Sequence, residues 1–364
     1  MSFRDHPDHF DAAFLAGLFG RAGDALRGFE HVPVGTGQVG DSYRVQLDWH
    51  DAAQEQAAAQ GDTLPGSLVA KCPAADAVSR DTARNMHLYE IETQFYRRFG
   101  ESCGARAPKA YLSTYDAASG DGVLLLEDMA PAVQIAQMDG CSVAQLESAL
   151  AEAALLHKSH WGEGALQQFS WLTYSQQEDR RAFIAALVPA IYPEWRARYE
   201  GRLSSDILDM GEALVARFEA YMQAENRAWE EPIVLSHGDF RLDNMLFKDD
   251  EGRAIILDWQ TVSAGAPMND VAYCLSTSLA DPATRASQEE ALVAQYHAQL
   301  GPKAEGYALE QAWEDYRRAA FSGFLMALIS AMLVERTERG DEMFATMAER
   351  SGWQALHLGA LSLI

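Results

Sequence analysis

The chain has 364 residues, 48% apolar and 23% charged, a balance that suits a globular protein of two domains or two lobes and argues against disorder. Its 29 Lys and Arg against 53 Asp and Glu leave a formal charge of −24, which opposes tight binding to nucleic-acid phosphates or anionic lipid surfaces. The four cysteines are scattered without CxxC spacing, so they indicate neither a zinc cluster nor a disulfide framework, and they fit a reducing cytoplasm. Met1 to His6 is polar and carries no apolar signal core.

Gly35-Thr36-Gly37-Gln38-Val39-Gly40 matches G-x-G-x-x-G. A dinucleotide turn of this spacing must open a helix at once, and Asp62 stands near the distance of a ribose-binding acid. Instead, Tyr43, Val45, Leu47 and Trp49 alternate with Ser42, Arg44, Gln46 and Asp48, which predicts a half-buried strand. That context disfavours a Rossmann turn. It suits a glycine-rich hairpin over nucleotide phosphates, where a Cβ would block close backbone approach. An ordinary hairpin turn accounts for the same glycines equally well. Residues 51–66 read as a loop or short helix, and Ser67 to Lys71 as a second strand. Leu88, Ile91, Phe95 and Phe99 recur at helical spacing and predict one helix from Asp81 to Phe99, with Asp81 as its N-cap. Val123 to Leu126 is a short apolar strand.

Beyond Met129 the pattern turns helical. One helix is predicted over Val143–His160. More follow over Arg180–Tyr221, with a break near Pro193, and again from Asp270 onward. Short strands interrupt them within 233–259. Ala319 to Val334, about 16 apolar residues, falls short of the roughly 20 that span a bilayer, and reads as a buried helix or a dimer face. The expectation is therefore an α+β protein without a membrane span, monomeric or homodimeric. A small β-rich lobe would cover 1–126, a hinge 127–130, and a larger, mainly helical lobe 131–364.

The most informative segment is Ile233 to Phe247, in which apolar triplets flank His237-Gly238-Asp239-Phe240-Arg241-Leu242-Asp243-Asn244. A second acid, Asp258, ends the short strand Ile255-Ile256-Leu257 and precedes Trp259. Phosphoryl transfer needs such a set. One carboxylate orients the attacking hydroxyl, while a second carboxylate and an amide oxygen hold Mg²⁺ against a triphosphate.

H-G-D-x-x-x-x-N followed by L-D-W resembles the aminoglycoside phosphotransferase and choline kinase superfamily, most closely its bacterial branch near the ecdysteroid-kinase-like proteins. It also resembles the kinase domains fused to some acyl-CoA dehydrogenases. The resemblance spans roughly residues 30–280. It implies a protein-kinase-like two-lobe fold and transfer of a phosphoryl group from ATP, with Mg²⁺, to a small-molecule hydroxyl. By the same resemblance Asp239 is the catalytic base, and Asn244 and Asp258 are the Mg²⁺ ligands. Gly35, Gly37, Gly40 and Lys71 hold the phosphates. Glu92 pairs with Lys71, Glu90 being the alternative, since two residues turn a helix by about 200°. Glu127, Asp128 and Met129 form the hinge that meets adenine through its backbone, and Asp270 braces the catalytic loop. Arg241 either steadies the γ-phosphate or pairs with Asp243 or Asp258.

The sequence departs from the protein-kinase pattern in two places. Trp259-Gln260 stands where an aromatic-Gly pair would follow Asp258, and Ser42 where a valine is expected. The competing readings are a nucleotide-binding pseudokinase without catalysis and a Rossmann oxidoreductase. His157 and His160, three apart on one helix, suit a packed or hydrogen-bonded role better than a metal pair lacking a third ligand. Cys72 reads as a small buried residue. Trp171, Tyr174, Tyr192, Trp195 and Tyr199 read singly as core, and as a group suggest an acceptor pocket with apolar walls for a lipid- or steroid-like alcohol.

Overall fold

The computed structural model describes residues 3–35, 39–228, 232–248 and 252–364. The chain divides into two compact units. The first comprises Met1–Ser102, Ala107–Ala130 and Asp258–Thr261. The second comprises Cys103–Arg106, Pro131–Leu257 and Val262–Ile364. Two short segments therefore fall across the division expected at 127–130. Arg106 joins the second unit because its carbonyl accepts from Ile256 N (2.8 Å) and its N–H donates to Glu152 (2.7 Å). Trp259 joins the first by stacking on Phe95 at 4.0 Å between ring centroids.

The first unit is an antiparallel sheet of β1 (Leu26–Pro33), β2 (Gly40–Trp49), β3 (Ser67–Pro73), β4 (Ala110–Asp116) and β5 (Asp121–Glu127), in the order β1-β2-β3-β5-β4. Its helices are α1 (Ala12–Leu18), α2 (Asp51–Ala59), α3 (Ala77–Asn85) and α4 (Leu88–Arg98). The alternation read in β2 is the burial pattern found: Val45, Leu47 and Trp49 are buried, while Gln46 and Asp48 are exposed. With Leu15, Leu68, Ala70 and Leu125 they form the core. Because β2, a strand, follows Gly40, the Rossmann reading of the glycine motif is excluded. The single helix expected over 81–99 is two. Asp76, not Asp81, caps α3 through Ser79 N (2.8 Å), and Asp81 lies inside α3. The chain breaks at His87, whose φ of 58° is left-handed and cannot continue a helix.

The second unit carries α5 (Val143–Ser159), α6 (Glu178–Tyr199), α7 (Ser205–Ala216) and α8 (Phe218–Ala228), with β6 (Val133–Gln134) ahead of them. Next come β7 (Val234–Ser236), β8 (Met245–Phe247), β9 (Ile255–Ile256) and β10 (Ser263–Gly265). Then follow α9 (Pro267–Ser278), α10 (Pro282–Leu300), α11 (Leu309–Arg318), α12 (Ser322–Leu333) and α13 (Glu338–His357). The strands form two small sheets, β10-β7 and β6-β8-β9. No break occurs at Pro193. Helix α6 runs through Pro189 and Pro193 because Val188, Tyr192, Trp195 and Tyr199 form one buried stripe, and packing overrides the proline penalty. The break comes after Tyr199. The apolar stretch near residue 320 is the buried helix α12, and among the described residues no helix is long and apolar enough to cross a membrane.

Candidate active site

In the first unit, period two sets the position of Lys71. Leu68, Ala70 and Cys72 face the core, so Lys71 points to the opposite side of β3. There its Nζ lies 2.6 Å from Glu92 Oε1 and 2.9 Å from Asp258 Oδ1. Glu92 shares a buried helical stripe with Leu88 and Phe95. Glu90, turned away, pairs with His87 at 2.9 Å instead. Burial opposes the charge on Lys71, but Asp258 and Glu92 overcome it and raise its pKa above the ordinary value, so the ammonium persists. Burial also lifts the Glu92 carboxyl, with Lys71 pulling the other way.

Asp258 sits at φ 63°, a left-handed conformation that Asp tolerates better than bulkier residues. Its second oxygen accepts from Gln260 Nε2 (3.2 Å). The next N–H, of Trp259, donates to Glu92 Oε1 (3.2 Å), and the fully buried Trp259 ring stacks on Phe95. Trp259 thus anchors the position where protein kinases carry an aromatic-Gly pair.

Gly35 has a left-handed φ of 76° and is exposed, whereas Gly37 lies outside the described residues. At Gly40 a Cβ would come within 3.2 Å of the Cys72 carbonyl, a tight fit that favours glycine. The Glu127 N–H donates to Lys109 O (2.8 Å). Asp128 is tied to Arg44 (2.7 and 3.2 Å) and Ser67 (2.7 Å), which fixes the chain just ahead of Met129. Burial would raise the Asp128 pKa, but these donors hold it below the usual range.

The second unit holds the His237–Asn244 loop. Its organiser is Asp270, near the start of α9 and 1% exposed. Asp270 accepts from His237 N (2.7 Å), Gly238 N (2.9 Å) and Ser236 Oγ (3.0 Å), and pairs with His157 Nε2 (3.1 Å). Burial alone would raise its pKa, yet the His157 bond and charge hold it below the ordinary value. His157 also meets Tyr296 OH (2.6 Å), so it is a hydrogen-bonded core residue. His237 accepts from Asp239 N at Nδ1 (3.2 Å) and faces Leu257 O through Nε2 (2.9 Å), which places its proton on Nε2.

This bracing presents Asp239. One oxygen accepts from Tyr273 OH (2.8 Å) and Arg241 Nε (3.0 Å), the other from Asn244 Nδ2 (2.8 Å). Asn244 Nδ2 also donates to Asp239 O (2.8 Å), so the amide oxygen lies on the opposite side of the group. Arg241 bridges onward to Asp243 (2.7 Å), as one of its expected alternatives had it. Burial disfavours its charge, but Asp239 and Asp243 raise its pKa. Asp243 in turn accepts from Gln137 N (3.0 Å). Tyr273 and Gln137 escaped the sequence reading. The Asp270-x-x-Tyr273 spacing, one helical turn, was the available signal for the first.

Four of the five aromatics proposed for an acceptor pocket, Trp171, Tyr192, Trp195 and Tyr199, are buried in the core. Tyr192, Trp195 and Tyr199 stack along α6, and Trp195 meets Phe324 of α12 at 5.4 Å. Among the described residues no three His, Cys, Asp or Glu side chains form a metal cluster.

Solved structures share this fold. A microcompartment-associated aminopropanol kinase matches with a TM-score of 0.52 at 14% identity, over 92% of this chain and 95% of that one. A Ralstonia eutropha protein provisionally assigned as an aminoglycoside phosphotransferase matches at 0.51 and 16%, over 94% and 97%. Plasmodium vivax ethanolamine kinase matches at 0.50 and 14%, over 90% and 83%. The chain has the protein-kinase-like fold of the aminoglycoside phosphotransferase and choline kinase superfamily.

Within that superfamily, the profile of the ecdysteroid kinase-like family matches residues 39–305, and the chain belongs to this family. It is 30% identical over 180 residues to mouse (Mus musculus) acyl-CoA dehydrogenase family member 10, covering 45% of this chain. It is 34% identical over 80 residues to chicken (Gallus gallus) member 11, covering 22%. The matches span only 16% and 10% of those longer proteins.

Proposed function

We propose that the protein transfers the γ-phosphate of ATP to a hydroxyl of a small molecule. The observation that carries this reading is Lys71, a persistent cation held at 2.6 Å by Glu92 and 2.9 Å by Asp258. Such a fixed ammonium suits the α- and β-phosphates of a nucleotide. Asp239 aligns the acceptor hydroxyl and takes its proton as the phosphoryl group leaves ATP. Gly35, Gly37 and Gly40 bring backbone N–H groups to the phosphates, and the chain from Glu127 to Met129 offers its backbone to adenine. Asp258 in the first unit and Asn244 in the second each carry an oxygen of the hard kind that Mg²⁺ prefers, so the chemistry of each fits the ligand role the resemblance implies. When bound, Mg²⁺ neutralises charge on the β- and γ-phosphates. Catalysis is positioning plus electrostatics, without a covalent enzyme intermediate.

For the acceptor we favour an apolar, lipid- or steroid-like alcohol. The family description supports it, and Tyr174 remains as a candidate pocket wall. The test has two stages. Thermal unfolding is measured with ATP, with and without Mg²⁺, and turnover is then measured on a panel of steroid, long-chain, amino and sugar alcohols. Stabilisation that needs Mg²⁺, followed by turnover of the apolar members, supports the whole reading. Stabilisation without turnover of any acceptor favours a pseudokinase. Turnover of polycationic sugars alone sinks the acceptor assignment, and no shift at millimolar ATP sinks the nucleotide site.

A further inference from the structure

We propose that Tyr273 is a positioning residue for Asp239, tying the reactive carboxylate to helix α9. The proposal rests on the phosphotransfer reading and names a residue that reading does not use. The argument starts from where the partners of Asp239 sit. Arg241 and Asn244 belong to the same loop as Asp239, so when the loop moves they move with it. Among the described residues, Tyr273 is the partner that bonds the carboxylate from outside the loop, its OH lying 2.8 Å from Oδ1. Helix α9 is a firm reference, since Val271 to Ser278 are all buried. A group held from a packed helix keeps its geometry better than one held only from a loop.

The same helix does two jobs one turn apart. Asp270 holds the backbone through His237 N and Gly238 N, and Tyr273 holds the side chain two residues further along. Backbone and carboxylate are thereby referred to one rigid element. The Tyr273 ring is 2% exposed, and a buried hydroxyl is costly unless it is bonded. Packing alone would be met as well by phenylalanine. Burial, with the Asp239 charge beside it, keeps the phenol protonated, so toward Asp239 it acts as a donor.

A carboxylate offers about four lone-pair positions. Arg241 Nε lies against both Asp239 oxygens (3.0 and 3.3 Å), with Tyr273 OH on one and Asn244 Nδ2 on the other. These contacts set the rotation of the carboxylate, and that rotation decides which lone pair an acceptor hydroxyl can meet. The Tyr273 hydroxyl therefore selects which lone pair faces the acceptor.

The test compares wild type with Tyr273→Phe, Asp239→Asn and the double variant, using ATP, Mg²⁺ and the best alcohol of the panel above. Tyr273→Phe should lower kcat by about 10- to 100-fold, as misplacement of a reacting group does, with KM for ATP within about twofold. On the Asp239→Asn background it should cost little more, because the two act as one unit. Backbone amide exchange across 238–242 should quicken several-fold in Tyr273→Phe, a readout that needs no turnover. Wild-type kcat in Tyr273→Phe, a full additional loss on Asp239→Asn, or a loss confined to KM for ATP overturns the proposal. If wild type itself turns over no acceptor, the phosphotransfer reading fails separately. Unchanged exchange in Tyr273→Phe then overturns the clamp on its own.

Discussion

The two units hold their candidate functional groups by different physics. In the first unit, one cation stands between two carboxylates, and the contacts Lys71–Glu92 and Lys71–Asp258 are charge against charge. In the second, the loop around Asp239 is shaped largely by a hydrogen-bond web in which backbone N–H groups converge on a single buried acid, Asp270. Charge pairing fixes which ions are present and tolerates some motion. A converging web of directional bonds fixes position. The first property suits the phosphate contact proposed for Lys71, and the second suits the alignment of an acceptor proposed for Asp239.

The sharpest test of this contrast is Asp239→Asn. It should lower turnover by roughly 10² to 10⁴ while ATP still raises the unfolding temperature. Wild-type turnover would remove Asp239 from the chemistry. Trp259→Ala, which deletes the ring stacked on Phe95, should cost about 3–5 kcal/mol in chemical denaturation.

Asp270→Asn should cost about 2–4 kcal/mol, since an amide cannot satisfy two backbone donors and a histidine as an anion does. Its pH dependence has a definite sign. The folded pKa lies below the ordinary 3.8, so the stabilisation is complete above that value and is lost as pH falls through the folded pKa. The variant should accordingly show a flatter stability curve below about pH 4. Asp258→Ala should abolish the Mg²⁺-dependent part of the ATP effect, worth about 2.7 kcal/mol at 100 times Kd. Glu90→Gln, on the outward face of α4, should change stability by less than about 0.5 kcal/mol and leave KM for ATP unaltered. A large effect there would mean that α4 presents the other acid to Lys71.

Some of this was legible in the sequence because it is periodic or contiguous. Alternation gave β2, and helical phase showed that only one of Glu92 and Glu90 can face Lys71 without deciding which. The catalytic-loop residues were readable because they lie within eight positions of one another. What was missed depends on contacts between distant segments or on packing. The break at His87 comes from one left-handed residue that no spacing announces. The prolines of α6 read as breakers because propensity is local, whereas the stripe from Val188 to Tyr199 is stabilised by its neighbours. Tyr273 was missed because its partner Asp239 lies 34 positions away and only the spacing from Asp270 hinted at it, and Asp258–Thr261 joined the first unit through a ring stack.

The dependence of the loop on α9 also sets an order of events. During synthesis the His237–Asn244 segment emerges before Pro267–Ser278, so it exists for a time without the acid that organises its backbone. The loop can acquire its observed form only after α9 has been made and has docked. That form should therefore appear late in folding, after most of the secondary structure, and a ribosome stalled ahead of α9 would display Asp239 and Asn244 without the geometry that α9 imposes.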